Sequence, residues 1–398
     1  MTPEERRSAF SLASIYAMRM LGLFMVMPVF MLEARHYQGG DDLSAIGMAM
    51  GVYGLVQACL QIPFGMAADR FGRKRIIYMG LALLALGSLI GAMATSVTDL
   101  ALGRALQGAG AISAAVTALL ADQTRDEVRT KGTALVGASI GLMFALSLVL
   151  GPLLSGFGGL PAIFAVTLLL ALAGVAIVRW WTPPETPLPL LNTPGHGLWD
   201  LLVHPDLIRL NFGVFALYAV QLASWVAIPA LLIQAGVASA DHGWVYLPAV
   251  LLSFVVMGIT LFPLERRGLL RPLFLFCIGL VMLVQAAWAW ISTDQPQLWL
   301  LALLLFVFFC GFNVLEASQP SLASRLAPAG ARGAALGVYN TLQSLGIFAG
   351  GAIGGLLIKN TGASGVFTAS AALMLVWLGV AWGARFVNKS PSGVASVH

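Results

Sequence analysis

The sequence predicts an all-α membrane protein with twelve transmembrane helices arranged in two pseudo-symmetric six-helix halves. Three observations predict this fold: a charge-poor composition, a series of apolar stretches long enough to cross a bilayer, and basic residues confined to the connections. The 398 residues are 59% hydrophobic and 10% charged, whereas soluble domains contain about 25% charged residues. Because lipid accepts apolar side chains and penalises charged ones, this composition belongs in a bilayer.

The helices can be assigned from the apolar stretches. A bilayer core about 30 Å thick requires about 20 apolar residues of helix, because an unpaired backbone polar group costs several kcal/mol there. The first stretch has no small-residue cleavage site after it, so we expect a first helix and not a signal peptide. The predicted spans are residues 10–32, 43–66, 75–95, 97–121, 131–156, 159–179, 207–235, 242–264, 270–291, 296–325, 331–358 and 363–386.

Basic residues in the connections predict the orientation of the chain. When the loops are assigned alternately to the two sides of the membrane, only Arg35 and Lys359 fall on the side opposite to the other loop arginines and lysines. Cytoplasmic loops of membrane proteins carry an excess of Arg and Lys. We therefore expect both chain termini to be cytoplasmic, and an odd number of helices would disrupt the charge pattern.

One long connection, residues 181–206, is expected to link the halves formed by residues 1–180 and 207–398. The halves share a short repeat, because Asp-Arg-Phe-Gly at 69–72 after the second span is matched by Glu-Arg-Arg-Gly at 265–268 after the eighth. Two repeated halves joined by a linker are typical of transporters that rock around a midplane site. A continuous helix in the connection is excluded by its prolines, which are Pro183, Pro184, Pro187, Pro189, Pro194 and Pro205.

Three motifs carry a resemblance to a known family. Residues 65–74, Gly-Met-Ala-Ala-Asp-Arg-Phe-Gly-Arg-Lys, resemble the Gly-x-Leu-x-Asp-Arg-x-Gly-Arg-Lys loop between the second and third helices of major facilitator transporters. Residues 103–108, Gly-Arg-Ala-Leu-Gln-Gly, are similar to the family's Gly-Arg-x-x-Gln-Gly element in the fourth helix. Gly151-Pro152 resembles the core of its antiporter motif, with Ser147 in place of the first glycine. The resemblance implies a secondary transporter that works by alternating access.

A narrower resemblance is carried by residues 19–29 and 53–65, which are similar to the bacterial YajR-type members of that superfamily. It implies a protein of the bacterial inner membrane, and we expect this protein to work as a monomer without a cofactor. Those relatives carry a soluble domain after the twelfth helix. About a dozen residues follow the last predicted span here, so we expect this chain to lack that domain.

Charged residues within the apolar stretches are the candidates for proton coupling. Arg19, Arg104 and Glu316 each cost several kcal/mol unless they face a cavity or pair with another helix. Glu316 is the only acid deep in a predicted span and is the candidate proton carrier, whereas Glu33 could also be a solvated loop residue. The fixed charge of Arg19 favours a nearby anion, either Glu316 or an anionic substrate. The family resemblance associates Arg104 with coupling a proton to substrate movement.

A second set of charges lies at the predicted cytoplasmic ends of the spans. Asp122 is at the carboxyl end of a helix, where an acid is disfavoured, so we expect it to pair with Arg73. Asp69 could accept hydrogen bonds from the amino end of the eleventh span. The family resemblance implies that such a cluster latches the two halves together, although the charges could instead only set topology. The predicted latch consists of Gly65, Asp69, Arg70, Gly72, Arg73 and Asp122. Gly65 is expected to permit close approach of helix backbones, as small residues do between membrane helices.

Polar and aromatic residues at helical spacing are candidates for a central substrate cavity. A few hydrogen-bonding groups on an aromatic surface suit an amphipathic organic solute. Interhelical hydrogen bonds and interfacial aromatic belts are the alternative explanation. The candidates are Tyr53, Gln57 and Gln61 in the second span, Tyr218, Gln221 and Trp225 in the seventh, and Asn313 in the tenth.

These residues favour a proton-coupled exporter of small amphipathic molecules. The alternative within the same fold is an importer or facilitator of an anionic metabolite or nutrient, held by Arg19. A membrane-embedded enzyme or a non-transporting receptor is the third alternative, and an enzyme is disfavoured because no nucleophile motif or paired His and carboxylate set is present. ATP-driven pumping is excluded because the sequence has no Gly-x-x-x-x-Gly-Lys loop. Cys59, Cys277 and Cys310 show no metal-ligand spacing, and nothing indicates a nucleic-acid partner. The expected partners are therefore the substrate, protons and the lipid bilayer.

Overall fold

The computed structural model describes residues 1–185, 204–293, 296–327 and 332–383, and these ranges are almost entirely helical. The labels number the helices in chain order, so they do not count membrane crossings. The helices are α1 Pro3–Val26, α2 Phe30–Glu33, α3 Leu43–Phe71, α4 Arg73–Ala92, α5 Val97–Ala109, α6 Ser113–Asp122, α7 Asp126–Trp180, α8 Pro205–Gln234, α9 His242–Arg266, α10 Leu270–Ile291, α11 Leu298–Leu326 and α12 Arg332–Trp382.

Ten segments of the described chain are long and apolar enough to cross a membrane. Two of them, in α7 and α12, contain 46 and 49 residues, far more than a bilayer requires. Each is interrupted at glycine, where Gly159 has φ 63° and Gly362 has φ 71°. Glycine occupies this left-handed region at little cost because it has no Cβ. The two long helices are therefore each two helices joined by a glycine.

The chain reverses direction at both glycine breaks. In α12, a Cβ added at Gly346 would meet the backbone of Phe215, and a Cβ added at Gly213 would meet Trp377. Both parts of α12 therefore pack at the same level of α8, which requires the chain to fold back at Gly362. The contacts between α7 and α1 show the same reversal. Before the break they run parallel, Ser139 with Ala13 and Gly151 with Met25. After the break they run antiparallel, Thr167 with Gly22 and Trp180 with Arg7.

The first predicted span differs from the structure at both ends. Helix α1 begins at Pro3 and not near residue 10, because Thr2 and Glu5 form a reciprocal capping box at its amino end. It ends at Val26, just before Pro28, and a separate short helix α2 continues the path. Proline has no N–H to donate and disrupts the interior of a helix, which explains the break.

Two other predicted boundaries are corrected. The span predicted at residues 97–121 is divided into α5 and α6 by a non-helical step that begins at Gly110. Pro205 was expected in the linker, but it opens α8, where the missing N–H of proline leaves no intrahelical bond unmade. The predicted linker prolines at positions 187, 189 and 194 lie outside the described residues.

Helices α3 and α12 meet through a close, glycine-lined contact that joins the first and second parts of the chain. An added Cβ at any of these glycines would lie within 2.4–2.8 Å of a backbone atom of the opposite helix, closer than side chains approach. Small residues permit such approach between membrane helices. The glycines are Gly47, Gly51 and Gly54 of α3 and Gly351 and Gly355 of α12, with Gly355 meeting the backbone at 2.7 Å.

An ion pair lies beside this contact, where the Lys359 Nζ is 3.1 Å from an Asp42 carboxylate oxygen. The Lys359 ammonium and the Ser44 backbone N–H stabilise the ionised carboxylate, which lowers the pKa of Asp42 below its ordinary value. The ion pair is therefore formed at neutral pH. Further along both helices the contact opens: Met66 is 66% exposed, and a Cβ at Gly337 would have no described atom within 4 Å.

The close contact predicts the effect of a larger residue at Gly51. A Gly51→Leu substitution should separate α3 from α12, because an added Cβ would lie 2.7 Å from the Phe348 carbonyl oxygen. We expect Cys residues introduced at Asp42 and Lys359, with the three native cysteines replaced by Ser, to be joined by a short bifunctional thiol reagent. The crosslinked fraction should fall at least twofold in Gly51→Leu.

The matched control is Gly279→Leu, because no described atom lies within 4 Å of a Cβ at Gly279. This variant should be crosslinked as efficiently as the parent. Equal crosslinking in Gly51→Leu and the parent would show that the α3–α12 contact does not need its glycine.

Candidate functional site

Two buried arginines contact Tyr53. Arg19 of α1 is 2% exposed, and its guanidinium donates to the Ser113 hydroxyl at 3.1 Å and to the Tyr53 hydroxyl at 3.0 Å. Arg104 of α5 is 1% exposed and lies over the Tyr53 ring, with 4.8 Å between the guanidinium carbon and the ring centroid. Helices α1, α3, α5 and α6 together hold this group, which we call the arginine cluster: Arg19, Tyr53, Arg104, Gln107 and Ser113.

The hydrogen-bond partners within the arginine cluster are all neutral groups. Arg104 donates to the Gln107 amide oxygen at 3.0 Å, and the Gln107 amide nitrogen donates to Ser88 at 2.9 Å. No ion pair within 4.0 Å joins Arg19 or Arg104 to a carboxylate in the described part of the chain. The Nε of each arginine is buried without a hydrogen-bond partner. Donor capacity is therefore left unused on both guanidinium groups.

Glu316 of α11 lies in a second group, which we call the glutamate cluster: Tyr218, Glu316, Tyr339 and Gln343, together with Gln319 one turn further along α11. The Tyr218 hydroxyl donates to Glu316 Oε1 at 2.5 Å, while Glu316 Oε2 is buried without a partner. The Tyr339 hydroxyl and both amide atoms of Gln319 are also buried without partners. Buried polar groups are nearly always hydrogen-bonded, so these atoms mark a place where a proton, water or ligand can be held.

The two clusters lie near each other, and we infer that they border one interior space. Tyr16, one turn before Arg19 on α1, lies close enough to Glu316 for an electrostatic interaction. Polar side chains from five long helices are half-buried, which is unlike the full burial of residues packed between helices. These residues are Tyr16 of α1, Gln57 of α3, Tyr218 of α8, Glu316 of α11, and Asn340 and Gln343 of α12.

The remaining cavity candidates occupy different environments. Gln61 is 2% exposed, and neither of its side-chain amide atoms has a partner. Gln221 is 6% exposed on the same helix as Tyr218. Trp225 packs edge to face against Tyr246 at 5.1 Å. Asn313 donates to Ser253 at 2.7 Å, so it links α11 to α9.

Glu33 lies away from both clusters, at the end of α2. It accepts a hydrogen bond from the Ser155 hydroxyl at 2.6 Å, and a Cβ at Gly159 would lie 3.3 Å from its other oxygen. Glu33 therefore contacts α7 where that helix is interrupted.

The predicted cytoplasmic charges form a compact group around Arg73. Arg73 Nε lies 3.2 Å from a carboxylate oxygen of Asp122, as the sequence predicts. Arg73 also pairs with Asp69, whose side chain is 65% exposed. The possible contact of Asp69 with the amino end of the eleventh span stays a prediction, because residues 328–331 lie outside the described residues. The described partner of Asp69, Arg73, is the first residue of α4. Arg70 lies over the Phe71 ring at 5.4 Å.

The two glycines of this group have different surroundings. Gly72 has φ 101° and joins α3 to α4, a backbone conformation that glycine adopts readily. Gly65 was expected to permit close helix approach, but a Cβ there would meet Ala114 at 3.7 Å, an ordinary contact distance.

Sequence reasoning missed several members of the clusters. Tyr339 and Gln343 are one turn apart in an apolar stretch, so the spacing used for Tyr218 and Gln221 would have found them. Gln319 follows Glu316 by three residues and carries the same signal. No sequence signal identified Ser113, because serine is common between membrane helices and its role depends on Arg19, 94 positions away.

Comparison with known proteins gives consistent matches over most of the chain. The Major Facilitator Superfamily profile matches residues 10–351. The inner membrane transport protein YajR of Escherichia coli (strain K12) is 42% identical over 401 residues, covering 100% of this chain and 87% of that protein. Multidrug resistance protein 2 of Bacillus subtilis (strain 168) is 28% identical over 357 residues, covering 85% of this chain and 84% of that protein.

A solved structure shares the fold. It is a bacterial homolog of the human lysosomal transporter Spinster, in an inward-facing and occupied conformation. It has a TM-score of 0.78 and 13% identity, and it covers 98% of this chain and 100% of that chain. With a family match across most of its length and a relative of 42% identity, this chain is a multi-pass membrane protein that belongs to the major facilitator superfamily of transporters.

Proposed function

We propose that this protein is a proton-coupled secondary transporter that exports small amphipathic molecules by alternating access. The observation that carries the proposal is Glu316, an acid held by one neutral hydrogen bond from Tyr218 with its second oxygen unpartnered. An ionised carboxylate in this environment is poorly stabilised, whereas the protonated acid carries no charge. Glu316 is therefore suited to bind and release a proton during transport.

The proposed architecture is twelve crossings in two six-helix halves, residues 1–180 and 207–398, with both termini and the linker cytoplasmic. Ten candidate spans are present in the described chain, and the chain reverses at a glycine break within two of them, which supports the proposal of twelve crossings. The sequence repeat also has a backbone counterpart, because Gly72 after α3 and Gly268 after α9 both have positive φ. This one shared backbone feature agrees with a duplicated half.

This topology predicts which introduced cysteines react from outside the cell. In a chain with its three native cysteines replaced by Ser, Phe157→Cys and Thr361→Cys should be labelled by a membrane-impermeant maleimide in intact cells. Both positions are exposed and lie beside the two glycine breaks. The control Arg267→Cys, in the connection between α9 and α10, should be labelled only after permeabilisation. Labelling of Arg267→Cys in intact cells would refute the orientation.

The carrier role predicts the behaviour of Glu316→Gln. The amide keeps an oxygen for the Tyr218 hydroxyl but cannot take up a proton near neutral pH, so proton coupling should be lost while the fold is retained. We expect the best ligand from a thermal-shift screen of dyes, antibiotics, sugars and organic acids to raise the lumenal pH of energised everted vesicles. In Glu316→Gln that pH signal should fall at least tenfold.

The matched control is Glu265→Gln, because Glu265 forms a surface ion pair with Arg325 outside the proposed pathway. Its pH signal should equal that of the wild type. Intact coupling in Glu316→Gln would remove Glu316 from the mechanism.

The second candidate function is import of an anionic metabolite or nutrient. Within the described structure no carboxylate lies beside Arg19, which favours an anionic substrate there. This preference for an anion holds for either direction of transport. Accumulation in whole cells separates the two directions. Collapse of the proton gradient raises accumulation if the protein exports the ligand and lowers it if the protein imports the ligand.

The charge group around Arg73 is proposed to act as the cytoplasmic latch, with Arg70 and the neighbouring glycines shaping its loop.

We expect Arg73→Ala to destabilise the folded protein by about 1 kcal/mol, because both Asp69 and Asp122 lose their cation. The midpoint of thermal unfolding in detergent should fall accordingly. Arg70→Ala is the control, since its described contact is stacking on Phe71, and an equal loss in both variants would argue against the ion pairs.

A further inference from the structure

The arginine cluster carries two fixed positive charges inside the membrane-spanning part of the protein. An arginine is always protonated, so it cannot escape the cost of burial by releasing its proton. A proton can neutralise Glu316, but it cannot neutralise Arg19 or Arg104. Only an anion can offset these charges.

Among the described residues, no carboxylate forms an ion pair with Arg19 or Arg104. Arg19 is held by two hydroxyls and Arg104 by an amide oxygen and an aromatic ring. Glu316, which interacts electrostatically with Tyr16 of α1, is hydrogen-bonded to Tyr218. A buried charge without a counter-charge is strongly unfavourable unless another group balances it in some state of the protein.

The geometry of the cluster suits a planar anion. Both guanidinium groups contact the same tyrosine, so their charges converge on one region beside α3. Each guanidinium also has a buried Nε without a partner, and an arginine can bind a carboxylate through two parallel N–H donors. Gln57, one turn after Tyr53, is half-buried and has an unpartnered amide oxygen, so a polar side chain borders the same region.

We propose that Arg19 and Arg104 form a binding subsite for the carboxylate group of an amphipathic organic acid, with Tyr53 orienting both guanidinium groups. The proposal deepens the transport function proposed above and rests on it for the route by which the acid reaches the cluster. The apolar part of the ligand extends toward the interior space lined by Tyr16 and Tyr218. The substrate class is thereby narrowed from amphipathic molecules to amphipathic carboxylates.

Binding to the purified full-length protein tests the subsite directly. The probes are benzoate, 1-naphthoate and indole-3-acetate, each compared with the alcohol and the amine of the same ring system. A ligand that binds the folded state raises the midpoint of thermal unfolding in proportion to its affinity. We expect at least one carboxylate to raise the midpoint in a concentration-dependent manner, with a smaller effect from its matched alcohol and amine.

Substitutions locate the binding to the cluster. Arg19→Gln and Arg104→Gln should each weaken carboxylate binding about tenfold or more, because each removes a charge-assisted hydrogen bond. The matched control is Arg209→Gln, since Arg209 pairs with Asp206 in the first turn of α8. Arg19→Lys keeps the charge but loses the planar donor pair, so it should bind between the wild type and Arg19→Gln. If Arg19→Gln does not fold, Arg19→Lys and its control Arg209→Lys decide the result.

Three results would overturn the subsite: no carboxylate shifts the wild type, the matched alcohol or amine binds as tightly, or the Arg19 and Arg104 variants retain wild-type affinity. The measurement needs no proton gradient, so it is independent of coupling. Glu316→Gln should bind the carboxylate with at least wild-type affinity. Intact binding with no coupled flux would refute proton coupling alone, and coupled flux of neutral compounds without carboxylate binding would refute the subsite alone.

Discussion

The burial of ionised side chains without opposite charges is the constraint on which the interior of this protein depends. Arg19 and Arg104 are almost completely buried, and their partners are hydroxyl, amide and aromatic groups. Such partners supply hydrogen bonds but no net charge, so part of the desolvation cost of each guanidinium is not offset. Helix packing must hold these polar groups in place, because lipid contact would cost more.

Helix α3 connects this interior to the contact between the two parts of the chain. Tyr53 faces the arginines, while the adjacent Gly54 and the preceding Gly51 touch the backbone of α12. Residues on one turn of a rigid helix cannot move independently. A change in the distance between α3 and α12 is therefore transmitted to the hydroxyl and ring that hold the two guanidinium groups. The contact of these glycines with α12 is tight, whereas Met66, further along α3, is 66% exposed.

The sequence predicted the kind of partner that a charged residue requires more reliably than the identity of that partner. The pairing of Arg73 with Asp122 was predictable, because both were assigned to neighbouring cytoplasmic helix ends. The partner of Glu316 was not, since Tyr218 is 98 positions away and helical spacing cannot tell which helices meet. The same limit applies to Gly51 and Phe348, whose contact has no local signal. The break at Gly110 was missed because glycine is common within membrane helices, where it need not end them.

The positive and negative charges of the interior lie on different helices and are neutralised by different ligands. A proton removes the charge of Glu316 on α11, whereas an anion is required for Arg19 on α1 and Arg104 on α5. A ligand shifts a conformational equilibrium only by the difference in its affinity for the two states. If the proposed carboxylate binds the arginines, its binding and the protonation of Glu316 each reduce the uncompensated charge, but in separate clusters that share one interior space. Carboxylate binding and Glu316 protonation can then be coupled without direct contact between the two ligands. Each event changes the free energy of burying the polar region that lies between α3 and α12.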